Sequence, residues 1–290
     1  MIDFEYTAPT QLDDAISQLS EAGDRARILA GGTDIIVQLR EGLQSADLVV
    51  DVKKIPELTQ FEFTAGQDLQ LGASVPCWQV YENSEISAAY TALTDAVHII
   101  GGWQIQSRAS VGGNLCNASP AADSIPALIA LDAVAHIAGP AGRRTVPASE
   151  FCTAPGRNVL EKGELLVSLT LPAPGPHSGS AYQRFIPRNE MDIAVVGAGS
   201  YVRLDSDGQK IEQARIALSA VAATPVFAEE ASNWLAGQPI SEDVFAEAGE
   251  LAKKVASPID DMRGPAEYRT HLVGVLTRRT LATACERART

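Results

Sequence analysis

The sequence predicts an α+β protein of two domains, in which a larger N-terminal part precedes a smaller part with an antiparallel sheet and helices. Three observations carry this expectation. The first fifty-odd residues alternate helix, strand, glycine stretch, helix and strand, the pattern of a compact α/β unit. Leu171-Pro172-Ala173-Pro174-Gly175-Pro176-His177-Ser178-Gly179 concentrates prolines and glycines into the most linker-like stretch of the chain, which places a boundary at about residue 175. Beyond it, three strand-like runs come before three helical ones. A chain of 290 residues is long enough for two such cores.

The elements follow in order. Leu12, Ala15, Ile16 and Leu19 recur at helical spacing, with Thr10 as the expected N-cap and Gly23 as the C-cap. Ala26 to Leu29 reads as a short strand that runs into Ala30-Gly31-Gly32-Thr33-Asp34. Ile35, Ile36 and Leu39 then predict a short helix ended by Gly42, and Leu48 to Val52 reads as a buried strand. After Pro56 the pattern changes: Phe61 to Phe63 and Leu69 to Leu71 alternate as strands around a turn containing Gly66. Helices are expected over Trp78 to Glu82, Ile86 to Val97 and Ser124 to Ala130, where Pro126 is tolerated in a first turn. Val134 to Ile137 and Leu165 to Leu171 read as strands, the first followed by a turn at Gly139 to Gly142. In the C-terminal part, strands are expected over Ser180 to Phe185, Ala194 to Leu204 and Ala214 to Val221. Helices are expected over Ala228 to Leu235, Val244 to Val255 and Glu267 to Cys285, the last with an apolar stripe of Tyr268, Leu272, Val275 and Leu276.

Composition narrows the function. A net charge of −13 disfavours nucleic acid or an anionic membrane as the main partner, while leaving room for a local basic pocket. Cys77, Cys116, Cys152 and Cys285 form no CxxC pair and no metal-ligand spacing, so free thiols in a reducing compartment are expected. The start of the chain lacks the basic and apolar regions of a signal peptide, and no apolar run reaches the about 20 residues that span a bilayer. Together these predict a soluble, cytoplasmic protein.

Two stretches, both read as glycine loops, carry the candidate chemistry. Ser110-Val111-Gly112-Gly113-Asn114-Leu115-Cys116-Asn117-Ala118-Ser119-Pro120-Ala121-Ala122-Asp123 combines paired glycines with hydroxyls, amides and a carboxylate, and Leu29 to Asp34 repeats the theme. Adjacent glycines let a backbone approach a ligand closely, and successive amides form an anion-binding concavity. Gly31-Gly32 taken alone reads equally well as a tight strand-to-helix turn. Two such stretches together favour a shared grip on one phosphorylated cofactor. No lysine follows either glycine pair as a P-loop requires, and Gly197-Ala198-Gly199 lacks both the third glycine and the following helix of a dinucleotide fingerprint, so it reads as glycines within a strand. His98, His136, His177 and His271 are scattered, no GxSxG elbow occurs, and Asp260-Asp261 reads as part of a solvated loop. No catalytic acid, base or nucleophile emerges, which fits a cofactor that brings its own chemistry.

At this point the residues carry a family likeness. Arg27-Ile28-Leu29-Ala30-Gly31-Gly32-Thr33-Asp34, with Ser110-Val111-Gly112-Gly113-Asn114-Leu115 and Ser119-Pro120-Ala121-Ala122-Asp123, resembles the FAD-binding medium subunit of the molybdenum hydroxylases, the carbon monoxide dehydrogenase and xanthine dehydrogenase group. The resemblance runs through the whole chain. It implies an FAD-binding domain of the vanillyl-alcohol-oxidase (PCMH) type over residues 1–175, with subdomains of about 1–56 and 57–175, followed by a C-terminal domain over 176–290. It further implies that Leu29, Ala30, Gly31, Gly32, Thr33, Asp34 and Ile35 hold the FAD pyrophosphate from one side. Ser110, Val111, Gly112, Gly113, Asn114 and Asn117 approach from the other. Asp123 bonds the polar chain of the cofactor, Leu166 and Ile193 lie near the flavin, and Arg184 is a further cofactor contact. Gln106, Ser107 and Ala109 depart from the family pattern just before the second stretch, and Arg184 stands where a lysine is common.

The function implied by this likeness is electron transfer. A large subunit with the molybdenum cofactor and a small subunit with two [2Fe–2S] clusters are the expected partners, in a dimer of heterotrimers, with NAD, a quinone or oxygen as electron acceptor. A stand-alone flavin oxidoreductase of the same superfamily and an interaction subunit without cofactor are the rival readings.

Overall fold

The computed structural model describes residues 3–290 and has an α+β architecture of three main sheets. The first unit is a three-stranded parallel sheet in which Leu48–Asp51 lies between Glu5–Thr7 and Ala26–Leu29. The helix Leu12–Ala22 packs on it through Leu12, Ala15 and Leu19. That same apolar layer takes in Ala138, Leu165 and Val167 from the next sheet, and so seats the first unit on the second. The second sheet is antiparallel, in the order Phe61–Glu62, Leu69–Gly72, Leu165–Leu171, Val134–Gly139, Gly142–Pro147. Leu165–Leu171 sits at its centre because it is apolar on both faces, as its near-continuous burial shows.

The largest core lies on the other face of that sheet. It gathers Leu69, Leu71, Leu166, Leu169 and Leu171 with the helices Thr91–Val97 and Ser124–Ala130, and extends to Tyr182 and Ala217 of the third sheet. The third sheet is an antiparallel meander of Ser178–Phe185, Val196–Leu204, Ile211–Ser219 and Val226–Phe227. The long helix Ala266–Ala288 lies across it, so close at Gly179 that a Cβ there would strike the Ala284 carbonyl.

Several expectations are corrected. Ser110 to Asn117 is not a loop: Ser110 caps a helix, Val111–Asn117, by accepting a hydrogen bond from the Gly113 amide at 3.0 Å. Adjacent glycines disguised that helix because they lower helix propensity. The single helix expected over Ile86 to Val97 is two, Ser84–Ala89 and Thr91–Val97, broken at Tyr90 (φ −118°, ψ 59°). The Tyr90 hydroxyl is turned inward to accept from the Leu69 amide and donate to the Leu171 carbonyl. Gln11, not Thr10, is the N-cap residue of Leu12–Ala22, and it makes no side-chain cap. Glu5–Thr7 and Gly142–Pro147 are strands the pattern did not reveal, being short in one case and polar in the other. The stripe of the last helix is broader than expected and includes Val273, Leu281 and Ala284, whereas Tyr268 is partly exposed. Asp261 is not merely solvated: it accepts from the buried Arg269 guanidinium at 2.6 Å, and that guanidinium also holds the Val195 and Ala220 carbonyls. Gly197 and Gly199, by contrast, lie inside a strand as expected, Val196–Leu204, where Cβ atoms would strike Ser219 and the Pro126 carbonyl.

Candidate functional site

A cavity of about 490 Å³ opens where the parallel sheet meets the antiparallel one. Its walls bring together the two glycine stretches, some eighty residues apart in the chain: Ala30, Gly31, Gly32, Thr33, Asp34 and Ile35 on one side, and Ser110, Gly112, Gly113, Asn114 and Asn117 on the other. Leu166 supplies part of the apolar wall from the central strand. The volume is in the range of sites for small organic cofactors.

The local geometry explains the glycines one by one. Gly32 adopts φ +83°, a left-handed conformation that turns the chain from the strand Ala26–Leu29 into the helix Ile35–Arg40. Gly31 is needed for contact between the two stretches, since a Cβ there would strike the backbone of Arg108 and Ala109. Gly112 packs on Ala73, whose carbonyl oxygen would be 2.5 Å from a Cβ. Gly113 differs: its Cβ would meet only the Ser110 Oγ, at 2.9 Å, and its remaining surroundings are open. The two stretches also touch through side chains, Gln38 Nε2 donating to Asn117 Oδ1 at 3.2 Å. Asn114 Oδ1 accepts from the amide and hydroxyl of Ser124, which fixes the next helix.

The donor set of this cavity suits an anion. Among the described residues the amides of Gly31, Gly32, Thr33, Asp34 and Ile35 have no protein acceptor, and the helix Ile35–Arg40 has no side-chain cap. Successive unpaired amides at a helix start are the donors a phosphate group requires. Arg27 and Lys162 lie at the same wall and pair with no carboxylate among the described residues; Arg27 is held by Gln44 and by the carbonyls of Asp24 and Ala26. Of the cavity's carboxylates, Glu164 is taken up by a bidentate ion pair with Arg144 at 2.7 Å, Asp24, Asp34 and Glu161 make no ion pair among the described residues, and burial raises the Asp34 carboxyl. The arrangement therefore fits a diphosphate ligand: unpaired amides, open space at Gly113 and the cations Arg27 and Lys162 line one cavity. Nothing in it resembles an acid–base pair. No histidine lines the cavity, Cys116 is held as a thiol by burial that pushes its pKa up to about 12, and no metal-binding cluster occurs among the described residues.

The remaining expected contacts stand off this cavity. Leu29 ends the strand paired with Asp51, and Val111 is buried inside its helix. Ile193 lies on an exposed loop at 52% exposure. Asp123 and Arg184 find each other: Arg184 donates to Asp123 at 2.6 Å, and the buried Tyr182 hydroxyl donates to its other oxygen at 2.8 Å. Burial pushes Asp123 up to about 6, with Arg184 and Tyr182 pulling the other way, so at pH 7 it is ionised. Because the folded value lies above the ordinary carboxylate range, protonation favours the folded state. This contribution to stability is full below pH 4 and is lost as pH rises through about 6. Titration of the Asp123 carboxyl carbon by NMR is expected to show a midpoint near 6, and a midpoint at or below about 4 would refute this account. Conversely, the sequence did not disclose Arg27, Gln38 or Lys162 as cavity residues. Gln38 had a signal, being one helical turn beyond Asp34; Lys162 had none, since only the fold carries its loop there.

A cradle of unpaired amides between two α+β units, with no acid–base machinery, is the kind of site that takes a phosphate-bearing cofactor. The comparisons with known proteins agree. The family model described as the FAD binding domain in molybdopterin dehydrogenase matches residues 2–174, and the CO dehydrogenase flavoprotein C-terminal domain matches residues 181–284. The chain is 32% identical over 286 residues to the xanthine dehydrogenase FAD-binding subunit of Escherichia coli O157:H7, covering 98% of this chain and 97% of that one. It is 33% identical to the carbon monoxide dehydrogenase medium chain of Afipia carboxidovorans, covering 99% and 98%. A crystal structure of the Cu,Mo-CO dehydrogenase superposes with a TM-score of 0.94 at 31% identity, covering 99% of this chain and all of that one. The chain belongs to the family of FAD-binding medium subunits of the molybdenum hydroxylases, and is an oxidoreductase flavoprotein subunit. No helix among the described residues is long and apolar enough to cross a membrane.

Proposed function

We propose that this chain is the FAD-carrying electron-transfer subunit of a heteromeric molybdenum-containing dehydrogenase. The run of unpaired amides from Gly31 to Ile35, in a cavity that Gly113 also lines, is the observation that carries the reading. Ala30 to Ile35 hold the diphosphate from one side; Ser110, Gly112, Gly113, Asn114 and Asn117 close on it from the other; Leu166 gives an apolar wall. Bound there, FAD supplies a redox centre able to take single electrons from iron–sulfur clusters and to yield a pair to NAD, a quinone or oxygen. The chain's own work is to neutralise phosphate charge with backbone dipoles and to exclude water with the packed glycine stretches. Substrate hydroxylation then belongs to partners: a large subunit with the molybdenum cofactor and a small one with two [2Fe–2S] clusters, joined in a dimer of heterotrimers. The domain division is proposed at residue 175, and the four free cysteines support a reducing, cytoplasmic setting.

An iron–sulfur subunit reduced with dithionite on its own, freed of excess reductant and then joined to the FAD-loaded chain is expected to bleach the flavin absorbance of this chain, with recovery on adding an acceptor. Flavin that stays oxidised beside reduced clusters would contradict the proposal. Steady turnover of a small alcohol by the isolated chain would instead support a stand-alone flavin oxidoreductase.

A further inference from the structure

The first glycine stretch is braced from behind by residues that do not line the cavity. Lys53, two residues beyond the strand Leu48–Asp51, reaches across to the end of the neighbouring strand. Its Nζ donates to the Ala30 carbonyl at 2.9 Å and to Asp51 Oδ1 at 2.7 Å. Asp51 is 7% exposed and fully engaged: its Oδ1 also accepts from the Lys53 amide at 3.0 Å, and its Oδ2 from the Tyr6 hydroxyl at 2.7 Å. Burial alone would raise the Asp51 carboxyl, but the hydrogen bonds from Lys53 and Tyr6 outweigh it and hold the group ionised below the usual range. Ala30, just beyond one outer strand, and Asp51, at the end of the central strand, thus meet at a single ammonium group, and Tyr6 of the other outer strand is joined to it through Asp51.

The consequence falls on the peptide between Ala30 and Gly31. A carbonyl that accepts from a charged donor is polarised, and its own peptide N–H becomes a stronger donor in turn. That N–H is the first of the unpaired run, Gly31 to Ile35. We propose that Lys53 is a positioning residue for the bound cofactor: it fixes the Ala30–Gly31 peptide and strengthens the amide run that receives the diphosphate. This rests on the FAD reading above. Lys53 touches no ligand in this account; it acts through Ala30. A lysine that merely stapled the sheet would contribute to fold stability and leave FAD affinity alone.

The two roles separate in one experiment on the full-length chain stripped of flavin. FAD is titrated against wild type, Lys53→Met, Lys53→Arg and Tyr6→Phe by flavin fluorescence, and the thermal midpoint of each apo protein is recorded. The expected result is a Kd about tenfold higher for Lys53→Met, restored to within about threefold by Lys53→Arg, which keeps a charged donor. Tyr6→Phe, which retains the ring and frees Asp51 on one side, should raise Kd about threefold, and it carries the test should Lys53→Met not fold. Unchanged affinity in Lys53→Met or Tyr6→Phe overturns the positioning role, as does Lys53→Arg binding as weakly as Lys53→Met. Wild type that takes up no FAD at all would bring down the functional reading itself, an outcome distinct from wild type and variants binding alike.

Discussion

Gly113→Leu is expected to leave a folded protein that no longer retains FAD. The Cβ position at Gly113 is open except for the Ser110 Oγ at 2.9 Å, which can rotate away at the cost of a helix cap, about 1 kcal/mol. The leucine side chain then has only the cavity to occupy, where it competes for the space between the two glycine stretches. Its neighbour gives the opposite result. A Cβ at Gly112 would stand 2.6 Å from the Ala73 Cα and 2.5 Å from the Ala73 oxygen, and backbone cannot rotate away. Gly112→Val should therefore destabilise the apo chain by about 3 kcal/mol or more. Flavin content after purification, read beside urea unfolding of the apo proteins, distinguishes the two. Undiminished flavin in Gly113→Leu would remove the second stretch from the proposed cradle.

The second large effect concerns the buried pair Arg184 and Asp123, away from the cavity. Arg184 and Asp123 have side chains only 7% and 10% exposed, and each is the other's counterion. Arg184→Met removes the only counterion of a buried carboxyl, which must then take up a proton or stay charged and unpaired, and should cost about 3–5 kcal/mol. Replacing both partners, Asp123→Asn with Arg184→Met, should recover most of that loss, because an amide still accepts from the Tyr182 hydroxyl and no unpaired charge remains. Urea unfolding of the apo chain at pH 7 measures both. Equal destabilisation in single and double variants would show that the pair is not what holds this region.

Much of this architecture was legible because burial leaves a period in the sequence. The helix Leu12–Ala22, the strands Ala26–Leu29 and Leu165–Leu171, and the strand–glycine–helix unit around Gly31 could be read from apolar spacing and turn residues alone. The helix at Val111–Asn117 could not, since its glycines are there for packing on Ala73 and for an open face, both long-range demands that override local propensity. The same limit applies to the site. Paired glycines and hydroxyls marked where a phosphate ligand could lie, yet Gly31 and Gly112 prove to be set by backbone neighbours at Arg108 and Ala73. Asp123 and Arg184 looked like independent contacts because their mutual ion pair joins residues 61 apart in the chain. Lys53 lies outside every motif, and only the pairing of the strand before it, Leu48–Asp51, with Ala26–Leu29 brings it to Ala30.

The central claim is that this chain by itself builds a complete cradle for one FAD. It is tested most directly by equilibrium dialysis of the purified apo chain against FAD, with the bound flavin quantified per chain. The account predicts saturation at one FAD per chain, with riboflavin, which lacks the diphosphate, held far more weakly. A chain that stays colourless at saturating FAD, or that binds riboflavin as well as FAD, would contradict it.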